Sequence, residues 1–293
     1  MSTGAVNGLL AALVDDASLF PPGNMPMPTA VKEHRGHRTG DHADLVGRFL
    51  CPASRLSELQ AELSDDDHIT VGLIVDAGLD ALPGTVRAVA ADSRLRLTAV
   101  EVPICADGDQ AAAAHETVHA LAELSDGVAA FVELPRVHGW RDALSLVAAR
   151  GYGVKLRTGG LVADAFPTEV EVAEFIRAGV TEGAPFKCTA GLHRAIRHRD
   201  PHNGFEHHGF LNILVATTAA IGGASVDDLV EILAQQDPGE LVRPALDVDP
   251  AGAAAVRRAF TGFGTCSVDE PVDHLTELGL IERPQPVAAR DVA

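Results

Sequence analysis

From residue 46 onward the chain alternates between two patterns of apolar and polar positions. Short runs at 46–51, 69–76, 95–103, 128–135, 152–158, 184–189 and 260–266 are rich in apolar and β-branched residues with period-two alternation, as strands are. Between them lie longer stretches, such as 54–63, 111–124, 140–150 and 168–179, whose apolar residues recur at helical spacing. Strand followed by helix, repeated, implies parallel strands joined by right-handed crossovers. Seven strands are legible. An eighth is expected at 211–217, although the same residues would also build a buried helix. The fold class expected is α/β, a single (β/α)8 TIM-type barrel. The alternative is an open doubly wound sheet, against which the lack of a G-x-G-x-x-G turn after the first strand counts.

The ends of the chain differ from this texture. Residues 1–45 read as an N-terminal helical arm: a short helix before Asp15, a rigid Phe20-Pro21-Pro22-Gly23 loop, then a helix opening near Pro28 and Thr29. The catalytic barrel is expected over 46–281, and the Pro-rich stretch 282–293 as a flexible tail. Late in the barrel, Gly262-Phe263-Gly264-Thr265-Cys266 runs into Ser267 and Glu270, spaced as a capping box for a helix at 271–278. A glycine-rich turn feeding a helix start can seat an anion, or can simply be a tight turn that needs glycine. Gly264 and Ser267 are therefore candidate substrate-binding residues.

Within a barrel strand, alternate side chains face the lumen. Asp76 ends its run, Glu101 stands between two valines, and Glu133 stands between Val132 and Leu134. Val154 and Leu156 take the helix-facing parity, which turns Lys155 and Arg157 inward, with Thr158 following. Lys187 and Thr189 share a parity in the next strand, and Arg48 joins them from the first. Six strands thus deliver a charge each, mostly near the carboxyl ends where barrel enzymes keep their chemistry. Inward charges must find partners or water to offset desolvation, so such a set is either architectural or an active site. Its size and mixed sign favour the site.

Composition narrows the choice of partner. A formal net charge of −18 argues against a nucleic-acid backbone or an anionic membrane surface, both of which want a basic footprint. The expected partner is a small anionic metabolite, with self-association into a homo-oligomer left open. The apolar stretch 9–14 has no basic residue before it and two aspartates after it, unlike a signal peptide. No run approaches the roughly 18 apolar residues of a membrane helix, so the cytoplasm is the expected compartment. The four cysteines form no C-x-x-C pair and are expected to be reduced there. Lysine is scarce: Lys32, Lys155 and Lys187 stand against twenty arginines. A lysine that is desolvated, or set beside another cation, loses its proton more readily and can serve as base or Schiff-base nucleophile. Lys155 beside Arg157, and across the barrel from Lys187, fits that description. Binding of a phosphate or carboxylate by both lysines fits nearly as well.

Lys155-Leu156-Arg157-Thr158-Gly159-Gly160 and Lys187-Cys188-Thr189-Ala190-Gly191 resemble the paired lysine strands of class I aldolases of the deoxyribose-phosphate type. The resemblance covers these two segments alone. It implies one lysine as the Schiff base, a second that lowers its pKa, and a nearby acid that shuttles protons. Lys155 then takes the first role and Lys187 the second, or the reverse, with Glu133 or Glu101 as the acid and no cofactor required. Arg48, Arg157, Thr158, Thr189 and the 262–267 turn would hold the anionic end of a carbonyl substrate. A wider pattern is similar to a family of uncharacterised bacterial proteins and brings no activity with it. It comprises Phe20-Pro21-Pro22, Pro185-Phe186-Lys187 through Gly191-Leu192-His193, and Phe263-Gly264-Thr265-Cys266-Ser267 with Asp269-Glu270-Pro271.

Two other readings remain open at this level. Asp76, Glu101 and Glu133, followed by a lysine, resemble the layout of enolase-superfamily barrels, which implies a divalent metal on the acids and metal-dependent enolisation or hydrolysis. No capping domain and no K-x-K strand accompany it. The other is a non-catalytic small-molecule binding protein. After Lys187, His193, His198, His202, His207 and His208 crowd together with Asp200 and Glu206, in a loop long enough to be a lid. Metal spacings such as H-E-x-x-H are absent, so a basic, anion-facing loop competes with a metal site. His193 alone is a candidate acid–base or substrate-binding residue.

Overall fold

The computed structural model of the chain describes residues 8–282. In chain order the elements are β1 (Val14–Asp16), α1 (Met27–Thr39), β2 (Val46–Pro52), α2 (Leu56–Glu62), β3 (Ile69–Ile74), α3 (Leu82–Ala90) and β4 (Leu95–Pro103). Next come α4 (Gln110–Leu121), β5 (Ala129–Glu133), α5 (Trp140–Ala148), β6 (Gly153–Arg157), α6 (Glu169–Glu182) and β7 (Phe186–Thr189). A small hairpin follows, β8 (His198–Arg199) against β9 (Glu206–His207). The chain then runs through α7 (Phe210–Ile221), α8 (Val226–Ala234), α9 (Pro238–Asp247), α10 (Pro250–Ala259), β10 (Phe260–Thr265) and α11 (Asp269–Glu277). Eight parallel strands close into a barrel in the order β1-β10-β7-β6-β5-β4-β3-β2. Among the described residues no helix is long and apolar enough to cross a membrane.

The seven strands read from the sequence are all present; the eighth is not where it was expected. Residues 211–217 lie inside α7, nine of whose twelve residues are buried. This helix packs against α6, α8, α9, α10 and β10, so it is apolar nearly all round and carries no one-sided stripe. Its polar residues are satisfied in place: Asn212 donates to Ile232 O at 2.9 Å and Gln235 O at 2.8 Å, and accepts from Arg197 N at 2.9 Å. The missing strand is β1, which sits between β10 and β2. The segment expected to be an accessory arm therefore supplies a stave of the barrel. With only three residues β1 is too short to display an alternation. Arg257 secures its approach, donating to Ala11 O and Ala12 O, each at 3.2 Å, and to Thr261 O at 2.8 Å.

Within β1 the two aspartates part company. Asp16 turns outward to α1, where His34 Nδ1 lies 3.0 Å away and both side chains are buried. Burial would raise the Asp16 pKa, but His34 and the Ser18 amide outweigh it and hold it below the usual value. Asp15 turns into the lumen. Pro28 falls in the first turn of α1, as expected. Residues 283–293 of the expected tail lie outside the described residues.

The lumen accommodates large side chains by placing glycine opposite them. Phe131 on β5 lies over Gly153 on β6, where an added Cβ would come within 2.5 Å of the Phe131 ring and 2.8 Å of Pro185 O. Gly153→Ala should therefore destabilise the fold by about 1–3 kcal/mol through overpacking. A lowered urea midpoint at unchanged slope is the expected reading; an unchanged midpoint would show that Phe131 has room to move.

Candidate functional site

Period-two alternation brings Asp15 (β1), Glu101 (β4), Glu133 (β5), Lys155 (β6) and Lys187 (β7) to one place in the lumen. Glu133, Lys155 and Lys187 are register neighbours across three adjacent strands. Lys187 Nζ donates to Asp15 Oδ2 and, at 2.5 Å, to Glu101 Oε1. Lys155 Nζ lies 2.6 Å from Glu101 Oε2 and 2.8 Å from Glu133 Oε2. Arg157 Nε reaches Glu133 Oε1 at 3.0 Å, and Arg48 Nη1 reaches Asp15 Oδ2 at 3.3 Å. The result is one chain of alternating charge: Arg48, Asp15, Lys187, Glu101, Lys155, Glu133, Arg157.

Burial is deepest in the middle of that chain. Lys187 is wholly buried, Glu101 and Asp15 are 1% exposed and Lys155 4%. Glu133 is partly open, and the Arg157 side chain is 53% exposed at the end of β6. Lys155 is thus the deep cation closest to the open end. Gly47 makes room for Asp15, since a Cβ there would collide with Asp15 Oδ1.

Neighbouring cations were expected to lower the lysine pKa, and for Lys155 the geometry reverses the shift. Burial alone would lower the Lys155 pKa, but Glu101 and Glu133 outweigh burial and raise it to about 12. Likewise burial would raise Glu101, yet Lys155 and Lys187 hold it down at about 2. Glu133 is held below its ordinary value, burial being outweighed by Lys155 and Arg157. Glu101 therefore meets a different lysine with each oxygen, Lys187 through Oε1 and Lys155 through Oε2.

The other expected residues divide. Thr189 and Gly264 border the lumen, and a Cβ on Gly264 would lie 3.0 Å from Leu50 Cδ1 and 3.4 Å from Thr189 Oγ1. A side chain there would press on Leu50. Thr158 is fully buried and its hydroxyl donates to Ala190 O at 2.6 Å, tying two strand ends together and leaving no donor for a ligand. Arg48 and Arg157 stand at opposite ends of the charge chain, on Asp15 and Glu133. Only half of the expected capping box forms: Ser267 Oγ accepts from Glu270 N at 3.4 Å. The Glu270 carboxylate goes instead to His193 Nδ1, at 2.7 Å. Burial would lower the His193 pKa; contact with Cys266 and Glu270 outweighs it and raises it.

Asp76 does not join Glu101 and Glu133. It is exposed and bonds the Ser54 amide at 2.9 Å and the Ser54 hydroxyl. Among the described residues no group of three or more His, Cys, Asp or Glu is arranged to hold a metal ion. The histidine-rich segment is pinned by side chains. Arg197 meets Glu169 at 2.7 Å, and His208, whose pKa burial lowers to about 4, bonds Pro167 O at 2.8 Å. Asp15, which the strand alternation does not reach, has a weak signal: it ends the apolar run 9–14, as Asp76 ends its own. No protein-family model, curated protein or solved structure was found to match the chain.

Lys187 neutralises two buried carboxylates, so Lys187→Met should destabilise the fold by about 3–5 kcal/mol at neutral pH. The Glu101 pKa is depressed, so its contribution is present above about 4.5 and lost as pH falls towards about 2. The Lys155 pKa is raised, so its contribution is present below about 10.5 and lost as pH rises through about 12. Urea titrations of wild type and variant across pH read both effects. A gap that fails to narrow in acid would contradict the assignment.

Proposed function

We propose that the chain is a lyase of the aldolase kind, acting on a small anionic carbonyl compound through a Schiff base at Lys155. The observation that carries this reading is Glu101, one buried carboxylate touching two buried lysines on adjacent strands. It supports the division of labour that the class I aldolase resemblance implies, with a nucleophilic lysine, a second lysine and an acid in contact.

The raised Lys155 pKa bears on the rate and leaves the balance intact. An ammonium and a carbonyl condense to a protonated imine and one water, with no net change in charge or protons. A lattice that stabilises a cation at Lys155 therefore stabilises the iminium as well. Only the attacking species must be neutral. The Lys155 proton passes to Glu133 or Glu101 and Nζ attacks the carbonyl carbon. The carbonyl oxygen takes up protons and leaves as water. Glu101, whose Oε2 faces Lys155 Nζ, is the group placed for subsequent proton transfer. Arg157, at the open end, holds the anionic group.

The test is reductive trapping. The full chain is incubated with pyruvate, and separately with glycolaldehyde phosphate, in cyanoborohydride, and the modified lysine is located by peptide mass spectrometry. A secondary amine on Lys155 is expected, lost in Lys155→Arg and formed about tenfold or more slowly in Glu101→Gln. Saturable binding of these compounds with no adduct on either lysine would sink the covalent reading in favour of a binding protein.

A further inference from the structure

Cys266 and His193 lie outside the charge chain, at the carboxyl rim of the barrel where β7 and β10 run side by side. Cys266 directly follows β10, in a turn that is held on two sides. Thr265 Oγ1 donates to Ser267 O at 3.0 Å across it. The 20–23 loop backs it, since a Cβ on Gly23 would come within 3.1 Å of Cys266 Cβ. After β7 the chain reverses through Ala190 and Gly191, at φ 64° and 76°, and the loop that follows brings the His193 ring into contact with Cys266. Both groups can be reached from solvent: Cys266 is partly exposed and the His193 side chain is 22% exposed.

Helix α11 fixes the histidine from the other side. Glu270 and His274 stand four residues apart, on one face of that helix. His274 Nδ1 accepts from Ala195 N at 2.9 Å and holds the loop, while Glu270 Oε2 lies 2.7 Å from His193 Nδ1 and holds the ring. Asp269, beside Glu270, is engaged by His37 at 3.1 Å. With Nδ1 turned to the carboxylate, Nε2 is the nitrogen left for the thiol. A thiol, an imidazole in contact with it and a carboxylate behind the imidazole are the parts of an activated nucleophile. The other cysteines lack this setting. Cys51 and Cys188 are buried, which pushes the Cys51 thiol up to about 12 and raises Cys188 as well, and the exposed Cys105 has Asp107 at 4.0 Å.

We propose that Cys266, His193 and Glu270 form a second, acyl-accepting site for a small ester or thioester, independent of the lysine chemistry. His193 takes the thiol proton and Cys266 Sγ attacks the acyl carbon. The bond to the leaving alcohol or thiol breaks, the leaving group takes the proton from His193, and the acyl group stays on Cys266 as a thioester. Water, giving a proton to His193, then attacks that thioester and releases the acid, and His193 returns the proton to the thiol. The sum is hydrolysis, with one water consumed and one acid and one alcohol or thiol formed. Glu270 is a positioning residue: it holds the proton on Nδ1 and aims the ring.

The test treats the full chain with p-nitrophenyl acetate. A burst of about one nitrophenolate per chain is expected, with the acetyl group located on Cys266 by peptide mass spectrometry after acid quenching. Cys266→Ser should abolish the burst. His193→Gln should slow it about tenfold or more, and Glu270→Gln about threefold to tenfold, with Glu270→Asp recovering part of the loss. The Glu270 side chain is 56% exposed, so its replacement leaves the core in place. Cys51 and Cys188, both buried, report the folding of each variant by staying unlabelled with iodoacetamide. An acetyl group on Lys155 or Cys105 in place of Cys266, a Cys266 rate no higher than that of N-acetylcysteine, or an unchanged rate in folded His193→Gln would each overturn the assignment.

Discussion

The structure depends on a chain of seven alternating charges held inside a barrel that would otherwise be packed with apolar side chains. Isolated, any one of its buried members would carry a desolvation penalty of several kcal/mol. Together they are mutually required: Lys187 is countered by Asp15 and Glu101, and Lys155 by Glu101 and Glu133. This explains why β1, three residues long, is indispensable to the barrel. It closes the sheet and delivers Asp15, without which Lys187 would have Glu101 alone and Glu101 is already shared. The glycines follow from the same demand for room: Gly47 beside Asp15, Gly153 under Phe131 and Gly264 beside Leu50.

A lattice of this kind is costly if it is only architectural, because well-packed apolar residues of similar volume often do as well or better. Its asymmetry speaks for chemistry. Burial is greatest at Lys187 and decreases through Lys155 and Glu133 to Arg157, so one end is fixed while the other can exchange partners. Glu101 is anchored through Oε1 to the fixed lysine and presents Oε2 to the exchangeable one. A carboxylate anchored at one oxygen and facing a second amine with the other is suited to proton transfer. Outer pairs such as Asp16 with His34, and Thr158 with Ala190, hold the strands from behind.

The barrel class and seven of its strands were legible because their residues alternate over enough positions to show period two. Glu101, Glu133, Lys155, Lys187 and Arg157 were legible for the same reason: parity alone turns them into the lumen. What escaped was set by length and by contact. A three-residue strand carries no measurable period, so Asp15 was hidden in a segment that otherwise looks helical. A helix buried on every side carries no stripe, so α7 competed with it for the eighth place. Contacts between distant residues are invisible to local pattern. The sign of the Lys155 pKa shift is therefore hidden from the sequence: Arg157 is adjacent in sequence, but Glu101 and Glu133 are adjacent in space.

An anionic ligand approaching the chain would meet fields of opposite sign at long and short range. The whole chain carries −18, which repels anions at long range, but at physiological salt that field is screened beyond about 8 Å. Inside that distance the lattice decides, and it holds four cations against three carboxylates. The single excess positive charge is not bound to one buried position. Arg157 has one carboxylate partner and the most solvent, so the excess is most available there. An anion arriving at Arg157 would compete for it with Glu133, and any loosening of Glu133 weakens one of the two contacts that hold Lys155 protonated. On the proposed reading, recognition of an anion and activation of the lysine would be coupled through this one carboxylate. That coupling gives the partly open position of Glu133 a physical use.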